Sequence, residues 1–99
     1  MTQALKTVDL LNKVKDHVRK GTYVVSAHAL ERQNERHVSL EDVLYVLKTG
    51  VREESKELFD VRRQLWKYAI RGFTVEKMQL RVIVSFVEEM VIITVMRVK

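Results

Sequence analysis

A histidine and two arginines recur at four-residue spacing, at His28, Arg32 and Arg36. On a helix, their side chains would lie one turn apart along a single stripe. An imidazole transfers protons near neutral pH, and a guanidinium binds phosphate oxygens in a bidentate fork. The spacing therefore favours chemistry on a phosphodiester. The alternative is an ordinary solvated helix surface, on which Glu31 and Glu35 form ion pairs with the two arginines.

The excess of basic residues lies in the C-terminal part of the chain. Residues 1–60 hold ten Lys or Arg and ten Asp or Glu, whereas residues 61–99 hold eight and three, which accounts for the formal net charge of +5. Such a region attracts a polyanion such as RNA, or an acidic protein partner. The candidate RNA-binding residues within it are Lys67, Tyr68, Arg71 and Arg81.

Two residues on predicted strands have both a functional and a structural interpretation. The ring of Tyr68 could stack on an unpaired base, but Trp66, Tyr68 and Ile70 also alternate as core residues of a strand do. Thr94 interrupts an apolar strand and could offer its hydroxyl to a phosphate. Threonine is also a good strand residue in its own right, so both interpretations of Thr94 stay open.

The sequence lacks the residues that metal-dependent and nucleotide-dependent chemistry requires. There is no cysteine, no His-x-x-x-His pair and no Asp-x-Asp pair, so no metal site is predicted. The chain has three glycines and no glycine-rich phosphate loop, so no nucleotide cofactor is predicted either. What remains is metal-free RNA cleavage, in which the substrate's own 2′-hydroxyl attacks the adjacent phosphorus.

The location expected from the sequence is the cytoplasm. No apolar run approaches the roughly 20 residues that would span a bilayer. Charged residues interrupt the amphipathic N-terminal segment, so it lacks the continuous apolar core of a signal peptide. The absence of cysteine is typical of a reducing compartment. We therefore expect neither export nor membrane insertion.

Three helices are predicted in the first half of the chain. Apolar residues at three- and four-residue steps over residues 5–18 predict the first, which ends at Gly21. Ser26 is the expected N-cap of the second, which buries only a narrow edge because Leu30 shares its stripe with polar residues. The capping-box pattern over residues 39–42 begins the third helix.

The second half of the chain predicts strands. Period-two patterns over residues 66–71 and 80–87, followed by an apolar segment over residues 90–98, indicate three strands, and residues 51–55 indicate a weak edge strand. The last strand is apolar on both faces, so we expect it to be central or covered by a partner, such as a second copy in a homodimer. Residues 53–63 are predicted to be the most mobile loop.

These elements predict one α+β domain over residues 1–99. Its N-terminal helices would pack on one face of a three- to four-stranded antiparallel sheet. A chain of this length supports a single core.

The motifs resemble those of a known bacterial family. Ser26-Ala27-His28 with Arg32 and Arg36, then the helix start over residues 38–43, Gly50 and the strand over residues 92–95, are similar to a family known only as a domain of unknown function. That family is similar to RelE-like and BrnT-like toxins of the barnase, EndoU, colicin and RelE superfamily. The resemblance covers about residues 22–98 and makes residues 1–21 an N-terminal helix extension.

The resemblance implies a RelE-like fold and a type II toxin that cleaves RNA and is neutralised by a cognate antitoxin protein. It places His28, Arg32, Arg36 and Thr94 at the positions where the family concentrates its polar residues. This chain departs from the family at His37, where a glycine is common after the second arginine. The departure concerns the turn between the second and third helices.

Two functional hypotheses follow. The first is a metal-independent endoribonuclease, with His28 in proton transfer and with Arg32 and Arg36 on phosphate. The second is a catalytically silent module of the same fold, which uses the same basic surface to bind RNA or a protein partner. Product formation that depends on His28 separates them.

Overall fold

The computed structural model describes residues 5–99. In chain order these residues form α1 (Leu10–Lys20), β1 (Tyr23–Val25), α2 (Ala27–Glu35), α3 (Leu40–Thr49), β2 (Val51–Arg52), a short 3-10 turn (Glu54–Lys56), β3 (Leu58–Asp60), β4 (Leu65–Phe73), β5 (Gln79–Val87) and β6 (Glu89–Arg97). The strands form one sheet in the order β1-β6-β5-β4-β2, and β3 pairs with the same edge of β4 as β2 does. The α+β class predicted from the sequence is confirmed.

The sheet has more strands than the three to four predicted. Six strands are present in the described residues, and β1 runs parallel to β6, so the sheet is not purely antiparallel. The extra strands β1 and β3 are three residues long each. Runs this short show no periodicity, and they become strands because β6 and β4 supply their hydrogen-bond partners.

The last strand is interior along its first half, because β1 and β5 pair with its two edges. This confirms the central position predicted for it. Residues 53–63 are not the open loop predicted from their charges. They contain the 3-10 turn and β3, and the side chain of Glu57 is buried there.

Helices α1 and α3 cover one face of the sheet. Leu10 and Val14 of α1 and Val43, Val46 and Leu47 of α3 are fully buried against it. The capping box of α3 is confirmed, since Ser39 Oγ accepts from the Asp42 N–H and the Asp42 carboxylate accepts from the Ser39 N–H. Such local pairings are readable from sequence because both partners lie within one turn.

Helix α1 begins at Leu10, later than the predicted residue 5. Residues 5–9 instead form an irregular strap across the sheet edge. The Thr7 N–H donates to Tyr68 Oη, and Arg52 Nη1 donates to the carbonyls of Thr7 and Val8. These long-range hydrogen bonds give the backbone N–H of Thr7 and the carbonyls of Thr7 and Val8 their partners, so this segment does not need to be helical. The helix ends as predicted at Gly21, which has a left-handed φ of 71°.

Helix α2 buries an edge that differs from the predicted one. Ser26 is its N-cap as expected, but Leu30 is half exposed, and Ala29 and Gln33 face inward. The helix is followed by His37 with a φ of +54°. A glycine adopts this left-handed conformation without strain, which gives a physical reason for glycine after the second arginine in the family that the sequence resembles.

Gly50 allows α3 to approach β4 closely. A Cβ atom built there would lie 2.6 Å from the Arg71 carbonyl oxygen and 2.7 Å from that of Val46. Both are backbone atoms that cannot rotate away. We expect Gly50→Ala to lower the free energy of unfolding by about 2 kcal/mol, measured by urea titration. Thr49→Ala, an exposed neighbour, is the control and should stay within about 0.5 kcal/mol of wild type; an equal loss in both variants would contradict the packing argument.

Candidate functional site

The face of the sheet opposite α1 and α3 is partly exposed: Lys67, Arg71 and Arg81 are half-buried there, and Ala69 and Ser85 are buried. Tyr68 and Ile70 of β4 point into the helix-covered core, so Lys67 and Arg71, which alternate with them, point the other way. We call this second surface the open face. Ile83 lies on the open face of β5, is only 8% exposed and lines a groove there.

A β-bulge places Thr94 on the open face. Thr94 pairs with Ile83, whereas the next pair along the ladder joins Val84 to Ile92, so the register shifts by one residue. Ile92 and Val95 both lie in the core, with two residues between them instead of one. The bulge therefore turns Thr94 and Ile93 outward together. Without it, strict alternation from Ile92 would place Thr94 in the core.

Ser26 links the start of α2 to this bulge. Its hydroxyl accepts from the Ala29 N–H at 3.0 Å and donates to the Ile93 carbonyl at 2.9 Å. Its backbone N–H also donates to the Ile92 carbonyl at 3.0 Å. One residue therefore caps the helix that carries His28 and fixes that helix to the strand that carries Thr94.

His28 and Thr94 line the same groove on the open face. The groove has a volume of about 360 Å³, and Lys56 and Lys67 also line it. Within residues 5–99, the side chains of His28 and Thr94 make no hydrogen bond or ion pair. We call this space the His28 groove. It combines a free imidazole, a free hydroxyl and two cations.

An adjoining groove extends the surface. It has a volume of about 280 Å³, shares Lys67 and Ile93 with the His28 groove and is also lined by Ser26, Arg63 and Val91. Much of its lining is aliphatic, and at its rim the Asp60 carboxylate lies 3.0 Å from Arg63 Nη1 and 3.8 Å from Lys67 Nζ, so the open face offers an apolar floor with a rim of paired charges.

The His28 groove is not lined by Arg32 or Arg36. Arg32 donates to the Glu35 carboxylate, and Arg36 lies 3.5 Å from the same group. Arg32 lies one turn beyond His28 on the same helix stripe, at about 6 Å between Cβ atoms. Glu35 is the carboxylate partner of both arginines. The alternative of an ordinary solvated helix surface predicted ion pairs with Glu31 and Glu35, and the structure shows those with Glu35.

Arg71 and Arg81 lie elsewhere on the open face, opposite each other on β4 and β5. Glu53 lies between them. Its Oε1 accepts from Arg81 Nε at 2.6 Å, and its Oε2 lies 3.5 Å from Arg71 Nη1. The hydrogen bonds from Arg81 hold the pKa of Glu53 below its ordinary value. Arg81 is thus engaged by protein, and Arg71 retains more freedom.

Tyr68 is not on the RNA-accessible surface. It is 4% exposed and belongs to the core under the helices, where its hydroxyl contacts Thr7. The proposed base stacking by this ring is wrong, and the alternation with Trp66 and Ile70 had indicated the core position. Of the candidate RNA-binding residues, only Lys67 lines the His28 groove.

Two contributors to the groove were missed by sequence reasoning. Lys56 lies in the 3-10 turn of a segment predicted to be a mobile loop, and no sequence signal places it beside His28. Ser26 was identified as a helix cap and as part of the motif with His28, but not as the residue that fixes α2 to β6. Ser26 lies two residues before His28, at the junction of a strand and a helix. That position could have indicated that Ser26 helps to place His28.

Comparison with known families gives one match. Residues 25–97 match the model of a domain of unknown function, DUF4258. The chain belongs to the DUF4258 family. No curated protein and no solved structure matches it. All four polar residues of the His28 groove lie within the DUF4258 range, and α1 lies before it.

Metal-binding clusters and membrane-spanning helices are both absent from residues 5–99 of this DUF4258 protein. Among these residues, no group of three or more His, Asp or Glu residues is placed so that it could hold a metal ion. In that same part of the chain, no helix has the length and apolar character needed to cross a membrane.

Proposed function

We propose that this DUF4258 domain is a metal-independent endoribonuclease that works in the His28 groove. The observation that carries the proposal is the unpartnered imidazole of His28 in one groove with Lys56, Lys67 and the Thr94 hydroxyl. A proton-transfer group beside two cations matches what phosphodiester cleavage needs without a metal.

The reaction would use the substrate's own hydroxyl. Neutral His28 removes the proton of a ribose 2′-hydroxyl, and the 2′-oxygen attacks the adjacent phosphorus. The bond from phosphorus to the 5′-oxygen breaks, and that oxygen takes a proton from solvent, to which the groove is open. The products are a 2′,3′-cyclic phosphate and a 5′-hydroxyl. Lys56 and Lys67 balance the charge on the phosphoryl oxygens, and the Thr94 hydroxyl donates to one of them.

The biological role that we propose is that of a RelE-like or BrnT-like type II toxin in the cytoplasm, paired with a cognate antitoxin. Its support is the resemblance carried by His28, Arg32, Arg36 and Thr94. In this role Arg32 and Arg36 bind phosphates that flank the cleaved bond, after exchanging their contact with Glu35 for RNA. The apolar floor beside the His28 groove is the surface on which an antitoxin segment would block access to RNA.

The test is cleavage of single-stranded RNA by the purified wild-type chain, with and without EDTA. We expect equal cleavage under both conditions and products that carry 2′,3′-cyclic phosphate and 5′-hydroxyl ends. Products with 5′-phosphate ends, or cleavage abolished by EDTA, would contradict the proposed chemistry.

A second function is favoured by one observation: His28 is the sole imidazole among the described residues that line its groove. A groove with a single proton-transfer group also suits a catalytically silent module that binds RNA or protein. That module would bind RNA with a strong dependence on salt and leave it intact.

A further inference from the structure

A second groove lies at the hairpin end of the sheet, remote from His28. It has a volume of about 470 Å³ and is lined by Tyr45, Val51, Arg71, Phe73 and Lys77, among others. We call it the hairpin groove. Phe73 is 53% exposed and Tyr45 is 38% exposed, which is unusual for two aromatic rings that share one groove.

The charge of the hairpin groove is positive. In the described part of the chain, Arg71 and Lys77 line it and no lining residue carries a carboxylate. Arg71 has one acidic neighbour, Glu53 at 3.5 Å, whose shorter hydrogen bonds go to Arg81. Lys77 has no ion pair within residues 5–99. An exposed ring beside cations, of which Lys77 has no ion pair in the described residues, is a combination that single-stranded nucleic acid recognises through base stacking and phosphate contacts.

The hairpin groove and the His28 groove are joined along one strand. Lys67 and Phe73 both belong to β4, with Arg71 between them, and an even spacing places all three on the open face. Six residues of strand cover about 20 Å. A single strand of RNA that reaches from the His28 groove to Phe73 would pass the Glu53 carboxylate, which contacts both Arg71 and Arg81.

We propose that the hairpin groove is a subsite for an unpaired nucleotide of the same RNA strand, with the base against the exposed ring of Phe73 and the phosphate on Arg71 and Lys77. This inference rests on the proposed function, because it assumes that the strand is RNA. The subsite would bind the RNA at a distance from the cleaved bond. A substrate would therefore need enough nucleotides to reach both grooves.

The test measures binding of a single-stranded 2′-O-methyl RNA of about eight nucleotides, a length within the range of known single-strand sites, by fluorescence anisotropy. The methyl groups prevent attack by the 2′-oxygen, so binding is separated from cleavage. We expect Phe73→Ala and Phe73→Leu to weaken binding about tenfold, because leucine keeps apolar bulk but has no ring to stack. Lys77→Gln should reduce the slope of log K against log salt by about 0.7.

Leu30→Ala is the control, since Leu30 is a half-exposed apolar residue on α2 outside both grooves. It should bind as wild type does. Binding unchanged in both Phe73 variants, while wild type still binds and cleaves RNA, would overturn the subsite and leave the ribonuclease proposal standing. If wild type neither binds nor cleaves RNA, both proposals are wrong.

Discussion

Cleavage of RNA is expected to fall by about 10²- to 10⁴-fold when His28 is replaced by alanine, the range typical of losing a proton-transfer group. The imidazole lines the same groove as Lys67 and Thr94. Within residues 5–99 it makes no hydrogen bond or ion pair that would contribute to the stability of the fold. Its removal should therefore change the rate and leave the fold intact. The measurement is the single-turnover rate on a labelled single-stranded RNA, with thermal unfolding followed in parallel.

His28→Gln adds a stricter test, because the amide can form hydrogen bonds but cannot accept a proton near neutral pH. It should be as slow as the alanine variant. The matched control is His37→Asn, which removes an exposed histidine at the end of α2 and suits the left-handed φ of +54° there. This variant should cleave at the wild-type rate. A folded His28→Ala protein that cleaves as fast as wild type would refute the catalytic role.

Loss of the Glu57 carboxylate is expected to destabilise the fold by about 3 kcal/mol or more, as removal of one partner from a buried ion pair does. The Glu57 side chain has no exposed surface. Its two oxygens accept from Arg52 Nε and Nη2 at 3.0 Å each, and Lys6 Nζ lies 3.1 Å from Oε1. Glu57→Ala would leave a largely buried guanidinium without its counter-charge.

Glu57 also completes the backbone hydrogen bonding of β4. The edge of β4 pairs with β2 and then with β3, and the 3-10 turn between them leaves a gap at Ala69. The Ala69 N–H donates to Glu57 Oε2 at 3.3 Å, in place of a strand carbonyl. An unpaired buried N–H would add to the cost of the substitution.

Urea titration of Glu57→Ala measures this effect. The control is Glu54→Ala, which removes an exposed carboxylate 3.8 Å from the same Arg52. It should stay within about 0.5 kcal/mol of wild type. If the free energy of unfolding of Glu57→Ala lies within about 1 kcal/mol of the wild-type value, the buried cluster of Glu57, Arg52 and Lys6 does not stabilise the fold as proposed.

The same carboxylate gives stability a defined pH dependence. Burial raises the pKa of Glu57, but the hydrogen bonds from Arg52, Lys6 and the Ala69 N–H lower it by more, so its pKa lies below the ordinary 4.5. The unfolded state therefore binds the proton more readily. The contribution of Glu57 is fully present above its unfolded pKa and is lost as pH falls through its folded pKa. We expect Glu57→Gln to lose less stability than wild type on acidification below about pH 4.5.

The sequence by itself determined the local elements. The N-caps Ser26 and Ser39, the glycine stop at Gly21 and the three long strands were correctly predicted. Each depends on residues within a few positions of one another, so sequence spacing contains the information. The stripe of His28 and Arg32 on α2 follows for the same reason, as does the alternation that indicated a core position for Tyr68.

Only the tertiary structure decided which of these side chains meet. The bulge in β6 turns Thr94 out of the core, and the turn over Glu54–Lys56 brings Lys56 to the groove of His28. The short strands β1 and β3, the strap over residues 5–9 and the burial of Glu57 also depend on partners that are far apart in the chain. Strand register and side-chain burial depend on pairing between distant segments. A local sequence pattern does not identify the segment with which it will pair.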